Sequence, residues 1–295
     1  MRLDALLARA VSELKTAGIA DPQIEAEILL AHALGFSRTE LISRNDLDLA
    51  PQQLSAFVPL LERRLKHEPT AYIVGYQPFM GLDFYVDRNV LIPRPETELL
   101  VEAVLRATNH EPQSIPRLRS GQANHDPQLT IADLGTGSGC IAIALAKQLP
   151  GAKIIACDSS AEALAVARRN ARRYQLEGWI DFRQGDMFEP LPEPVEIIVS
   201  NPPYIPSAEI DRLQPEVKDW EPRGALDGGK DGLDYIRKLL NKAPNHLIFE
   251  FGFGQAGLIK ELAKKSYPRF EISKDYSGLE RIFSGVRTEK SAVHH

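Results

Sequence analysis

Two short stretches combine residue types that can do chemistry. The first, VSNPPYIP (199–206), places an amide, two prolines and a phenol directly after the apolar run VEIIV. A residue before proline is pushed out of helical space and each proline fixes its own φ, so Asn201, Pro202 and Pro203 form a stiff turn. The Asn201 side-chain carbonyl and the Pro202 backbone carbonyl can then converge as two acceptors for a planar NH2 group. Tyr204 supplies a ring to lie over the attached plane. A nitrogen of that kind is a poor nucleophile, because its lone pair is delocalised. Two fixed acceptors can hold it in line with an electrophile and stabilise positive charge as it develops. An aromatic face adds cation–π attraction. By themselves these residues could equally make an ordinary proline-rich turn.

The second stretch is DLGTGSG (133–139), which joins an apolar strand to a helix. Its glycines, Gly135, Gly137 and Gly139, let the backbone turn sharply and approach a ligand, with Thr136 and Ser138 between them. The spacing is G-x-G-x-G rather than the G-x-G-x-x-G of dinucleotide binders, and no Gly-Lys-Ser/Thr follows, which excludes a phosphate-gripping loop. Asp158 ends the next strand, about where an acid reaches ribose hydroxyls in nucleotide folds. Asp186 and Met187 end the third, where a carboxylate could take an adenine amino group and the thioether could pack on the ring. Singly these are a tight turn, a helix cap and a turn former. On three successive strand ends they describe a nucleoside site without a pyrophosphate, and S-adenosylmethionine fits it.

The elements that must position these residues follow from periodicity. From Leu129 onward strands and helices alternate. LTIADLG, KIIACD, IDFRQGD, VEIIV, HLIFEFG, RFEISKD and LERIFSGVR read as strands, separated mostly by amphipathic helices. This is an α/β domain with a mainly parallel sheet covered on both faces, its ligands expected at the carboxyl ends of the strands. The last two strands follow closely on one another, so one of them should be antiparallel. Ser159 and Glu162 are placed for a capping box.

Residues 1–72 read instead as a small helical domain. Leu3, Leu6, Leu7, Ala10, Val11 and Leu14 recur at helical spacing before Gly18. Asp21-Pro22 supplies an N-cap and a first-turn proline, and Ser37 with Glu40 a capping box. Pro59 within APQQLSAFVPLLERRLKHEP predicts a kink or two pieces. Residues 73–92, with alternating aromatic and β-branched side chains around Gly75, Gly81 and Asp87–Asn89, read as a β-hairpin linker. The catalytic domain is expected over 93–288, with a tail at 289–295 and a polar surface loop at Asn109–Gln128.

Composition narrows the class. The 295 residues carry a net charge of −5, which argues against a protein held on nucleic acid by a broad basic surface. No apolar run approaches a membrane span, and the N-terminus lacks a secretory pattern, so a cytosolic protein is expected. Cys140 and Cys157 fall in predicted core elements and are expected as buried free thiols. The seven histidines show no ligand spacing, and no metal site is expected.

DLGTGSG with NPPY resembles class I S-adenosylmethionine-dependent methyltransferases that act on planar nitrogen. Further stretches resemble the HemK-type protein-(glutamine-N5) methyltransferases: HEPTAYIVG (67–75), FYVDRNVLIPRPETE (84–98), EPRGALDGGKDGLDYI (221–236), FEFGFGQ (249–255) and KDYSGLER (274–281). The match runs through nearly the whole chain. The resemblance implies a Rossmann-like, seven-stranded domain with one antiparallel strand, preceded by an all-α domain that docks the protein substrate. It implies that Gly135–Gly139, Asp158, Met187 and Asn201 contact the cofactor with Asp186 beside it, and that Asn201, Pro202, Pro203 and Tyr204 hold the acceptor glutamine. The substrate it implies is the glutamine of the Gly-Gly-Gln motif in peptide chain release factors; a monomer is expected. Three other readings stay open on the residues: glutamine methylation of a ribosomal protein, amino-group methylation of a DNA or RNA base, and a non-catalytic binding protein.

Overall fold

The computed structural model describes residues 1–44, 46–108, 129–191, 195–243 and 246–287. The loop expected at Asn109–Gln128 and the tail at 289–295 lie outside them. The chain divides into two compact units, Met1–Tyr76 with Leu213–Trp220, and Gln77–Arg212 with Glu221–His295.

The first unit is helical: Leu3–Thr16, Pro22–Leu34, Arg38–Ser43, Pro51–Leu65 and Thr70–Val74, joined by the four-residue helix Pro215–Lys218. Leu3, Leu6, Ala10 and Leu14 turn one stripe of the first helix onto Leu29, Leu30, Phe57 and Leu61. Beside this core lies a charged cluster. Arg64, 4% exposed, donates to Glu25 at 2.8 Å and to Glu216 at 3.0 Å. Glu216 arrives with the inserted helix, so one buried guanidinium joins two sequence-distant pieces of this unit.

Local readings here were partly overturned. The Ser37–Glu40 capping box is present, but Asp21 stands at its helix start in left-handed backbone with no side-chain cap bond. The helix Pro51–Leu65 runs through Pro59 as one element rather than two pieces. Pro59 and Ser55, whose carbonyl loses its partner, are both exposed, so water can take that carbonyl. Residues 73 and 74, expected at the start of the hairpin, instead end a short helix, Thr70–Val74, that starts after Pro69 and stops at Gly75 in left-handed backbone.

Next in the chain, β1 (Tyr76–Phe79) and β2 (Leu82–Tyr85) form a hairpin. Its turn is Met80-Gly81, both with positive φ, and the turn expected at Asp87–Asn89 follows β2, with Val90 N–H donating to Asp87 O at 3.1 Å. The main sheet contains β3 (Thr130–Leu134), β4 (Lys153–Asp158), β5 (Ile180–Gln184), β6 (Ile197–Ser200), β7 (His246–Glu250), β8 (Arg269–Lys274) and β9 (Glu280–Val286). Its order is β5-β4-β3-β6-β7-β9-β8. β3 to β7 pair in parallel, while β9 runs antiparallel to both β7 and β8. Every residue of β3 and β6 is buried, because each strand feeds two cores. Ile131, Ile154, Ala156, Ile197 and Val199 face the helices Glu98–Ala107, Cys140–Gln148 and Ala161–Arg173. Ala132, Ile155, Ile198 and Leu247 face Asp234–Lys242 and Ala256–Ala263. No helix among the described residues is long and apolar enough to cross a membrane.

Candidate active site

The strand order reverses at β3, which pairs with β4 on one side and β6 on the other. Such a switch point opens a crevice at the carboxyl ends of the strands. Register aligns those ends: Leu134 pairs with Cys157 and with Ser200, and Asp158 with Gln184. The two motifs singled out by their chemistry therefore leave neighbouring strands side by side. One cavity is lined by Gly135, Thr136, Gly137, Ser138, Asp158, Asp186, Met187, Asn201, Pro202 and Pro203, with Arg94 and Thr97 at its wall.

The glycine loop is held by backbone. The N–H groups of Gly135 and Thr136 both donate to the Cys157 carbonyl at 2.9 Å. Gly137 has φ +53 and nothing within 4 Å of where a Cβ would stand, and Gly135 is likewise open. A ligand can therefore rest directly on this backbone. Gly139 differs. It is not part of the cavity wall, and a Cβ there would come within 3.1 Å of Ala167. Its surroundings are those of a packing contact between two helices. The Thr136 hydroxyl turns inward and donates to Asp133 at 2.6 Å, and the Ser138 carbonyl accepts from Asn170 at 2.9 Å. Thr136 thus offers the cavity mainly its backbone.

Asp158 accepts from Gly137 N–H at 2.9 Å through one oxygen and from Ser160 N–H at 3.0 Å through the other. Each oxygen keeps a further lone pair, so a vicinal diol is a suitable partner. Burial pushes its pKa up, against these backbone donors. The helix cap expected of Ser159 belongs to Ser160, which accepts from Ala163 N–H at 3.0 Å. Asp186 lies two residues past β5, exposed, with Lys238 at 3.4 Å. Met187 adopts left-handed backbone at φ +49, half-buried, and packs against the second core.

The Asn-Pro-Pro-Tyr turn is braced from below and pinned from the side. Ile205 N–H donates to Leu226 O and Gly228 N–H to Ile205 O. Gln255 Nε2 donates to Tyr204 O at 2.9 Å, and Gly232 lies so close that a Cβ would reach 2.2 Å from that same oxygen. At the side, Asn201 Nδ2 donates to Thr97 Oγ1 at 3.0 Å, and Thr97 donates to Glu250 Oε2 at 2.7 Å. Tyr204 OH donates to the other oxygen of Glu250 at 3.1 Å. Burial raises the pKa of Glu250 and of Tyr204.

Sequence reasoning missed several of these residues. Glu221, 5% exposed, binds Arg94 and accepts from Ile92 N–H at 3.2 Å, tying two cavity-wall segments together. Asp133 is fully buried beneath the loop, and burial lifts its pKa from 3.8 to about 7. Glu250 is 1% exposed at the end of an apolar strand. An acid in such a run is the one local signal that could have exposed it. Cys140 and Cys157 are buried free thiols, each pushed up to about 12.

Comparison with known proteins agrees with this geometry. Residues 5–75 match the family model described as PrmC N-terminal domain, and residues 121–213 the one described as methyltransferase small domain. The chain is 41% identical to the release factor glutamine methyltransferase of Geobacter sulfurreducens, covering 91% of this chain and 90% of the relative. It is also 41% identical to the enzyme of the same name from Moorella thermoacetica, covering 98% and 100%. The solved catalytic domain of hMettl16, in complex with the MAT2A 3′UTR hairpin 6, superposes with a TM-score of 0.52 at 16% identity. That superposition covers 71% of this chain and 77% of the other. At that identity it speaks for the class I methyltransferase fold alone.

Proposed function

This chain belongs to the release factor glutamine methyltransferases, and from that membership we propose which residues perform the transfer. The reaction moves a methyl group from S-adenosylmethionine to the side-chain amide nitrogen of the glutamine in the Gly-Gly-Gln motif of a peptide chain release factor. The observation that carries the reading is the meeting of the open glycine loop and Asn201, Pro202 and Pro203 in one crevice, with the Tyr204 hydroxyl held on Glu250 beside it.

The residues fit the cofactor. Gly135 and Gly137 leave backbone uncovered for its amino-acid portion, Asp158 has acceptors for its ribose, and Met187 offers an apolar surface for its ring, with Asp186 at the rim. S-adenosylmethionine supplies an electrophilic methyl when bound. Asn201 Oδ1 and the Pro202 carbonyl accept the two N–H bonds of the incoming amide and fix its plane, which Pro203 stiffens and Tyr204 covers. As the nitrogen–methyl bond forms and the methyl–sulfur bond breaks, with S-adenosylhomocysteine as leaving group, positive charge passes to that nitrogen. The two carbonyl dipoles, already aimed there, stabilise it without reorganising. The methylated nitrogen is then strongly acidic and gives a proton to water, so no strong base need act first. The helical unit of residues 1–76 is the proposed docking element for the protein substrate, and the enzyme is proposed to work in the cytoplasm as a monomer.

Labelled S-adenosylmethionine tests the reading against a release factor, its Gln→Ala variant, ribosomal proteins and DNA. Label on the wild-type release factor alone is expected. Label confined to ribosomal protein or nucleic acid would overturn it.

A further inference from the structure

Asn201 can serve the acceptor only one way round. Its side-chain amide has an oxygen end and an NH2 end of nearly equal shape, and only the oxygen end can accept from an amide N–H. Nothing in Asn-Pro-Pro-Tyr itself chooses between them. The choice is made by groups distant in the chain.

We propose that Thr97 and Glu250 are positioning residues that orient the Asn201 amide with its oxygen toward the acceptor. The reasoning follows donors and acceptors from the inside outward. The carboxylate of Glu250, 1% exposed, has only lone pairs to offer. Thr97, 3% exposed, has a single hydroxyl hydrogen, and at 2.7 Å from Oε2 that hydrogen goes to Glu250. What Thr97 then presents to Asn201 at 3.0 Å is a lone pair, which only an NH2 group can satisfy. With Nδ2 so engaged, Oδ1 is left for the crevice. The opposite orientation would set two oxygens against each other in a buried place, leaving both without a hydrogen.

The same carboxylate fixes the other end of the turn. Its second oxygen accepts from Tyr204 OH at 3.1 Å, so one buried acid sets the amide and the ring together. Glu250 stands at the carboxyl end of β7 and Thr97 in the 3-10 turn Pro95–Thr97. Two elements outside the Asn-Pro-Pro-Tyr segment thus converge on it. Neither residue needs to touch the reacting atoms; both act through Asn201 and Tyr204.

The inference rests on glutamine methylation as the reaction, and wild-type transfer to the release factor is the control that separates the two. If wild type does not transfer, that reading fails. If it does, T97V, T97S and E250Q are compared for kcat, KM for the release factor, cofactor affinity by calorimetry and melting temperature. Valine keeps the shape of threonine without its hydroxyl. T97V should lower kcat roughly 10- to 100-fold, the scale of a misplaced catalytic group, with cofactor affinity and melting temperature near wild type. T97S, which restores the hydroxyl, should recover most of the rate. E250Q, which can accept from one partner but not both, should also lower kcat. Two results would overturn the proposal: full kcat in both T97V and E250Q, or a T97V defect confined to cofactor affinity, which would make Thr97 a direct ligand contact. Should T97V fail to fold, E250Q decides by the same readouts, with loss of kcat at retained cofactor affinity supporting the proposal and unchanged kcat refuting it.

Discussion

Gly137 and Gly139 stand two residues apart in one loop, and their surroundings differ. Gly137 has positive φ with open space toward the cavity. A methyl there costs about 1–2 kcal/mol in backbone strain and intrudes where the ligand should lie. G137A should weaken cofactor affinity roughly tenfold or more, read by calorimetry, with a modest fall in melting temperature. G139A should do the reverse, since its Cβ meets Ala167 and its backbone is also left-handed. A G139A protein that melts like wild type yet has lost its cofactor would contradict this division. Asn201→Ala should reduce kcat by roughly 10²–10³, as for removal of one preorganised charge-stabilising group, while cofactor affinity stays within a few-fold. Asp133 gives a pH prediction. Its pKa rises from 3.8 to about 7 on folding, so the folded state binds its proton more tightly than the unfolded state. The stability this contributes is complete below about pH 4 and is lost as pH rises through 7. Melting temperatures of wild type measured against D133N should therefore fall from pH 4 to 7 and level off above. A flat difference across that range would show that Asp133 does not titrate there.

At the level of elements, strands and helices followed their periodicity, and the departures have local causes. The helix Pro51–Leu65 tolerates Pro59 because the carbonyl it strands faces solvent, not core. P59A should then restore one helical bond and raise unfolding free energy by about 1–3 kcal/mol, seen as a higher urea midpoint. A lower midpoint would mean that Pro59 fits its site better than a helix-former does. The cap after β4 shifted from Ser159 to Ser160 because Asp158 already accepts the Ser160 N–H. The short helix Thr70–Val74 was hidden by its β-branched and aromatic content, which favours strand, while Pro69 and Gly75 bracketed it. β9 between β7 and β8 was foreseen only as one antiparallel strand among the last two. Its insertion is a pairing choice between distant segments, which no local pattern encodes.

Across the whole molecule, the chemistry was readable wherever a residue type was restricted by its own neighbours. Asn201 and Pro202 are stiffened by the prolines beside them, and the glycine loop announces its turn. What could not be read is what depends on the sheet order. Thr97 and Asn201 are 104 residues apart, and Tyr204 and Glu250 are 46 apart. They meet only because β3, β6 and β7 are neighbours and because Pro95–Thr97 lies against their ends. Likewise Leu213–Trp220 belongs to the helical unit through Glu216 and Arg64. The family membership and the crevice meet in one claim, that a glutamine side chain presented by a protein is methylated between Asn201 and Tyr204. Tandem mass spectrometry tests it most directly, on a release factor incubated with S-adenosylmethionine and either wild type or the Asn201→Ala variant. A single methyl on the side-chain amide of the Gly-Gly-Gln glutamine, formed with wild type and reduced roughly 100-fold or more with the variant over the same short incubation, is the predicted result. A methyl on any other residue, or an equal yield from the variant, would contradict the account.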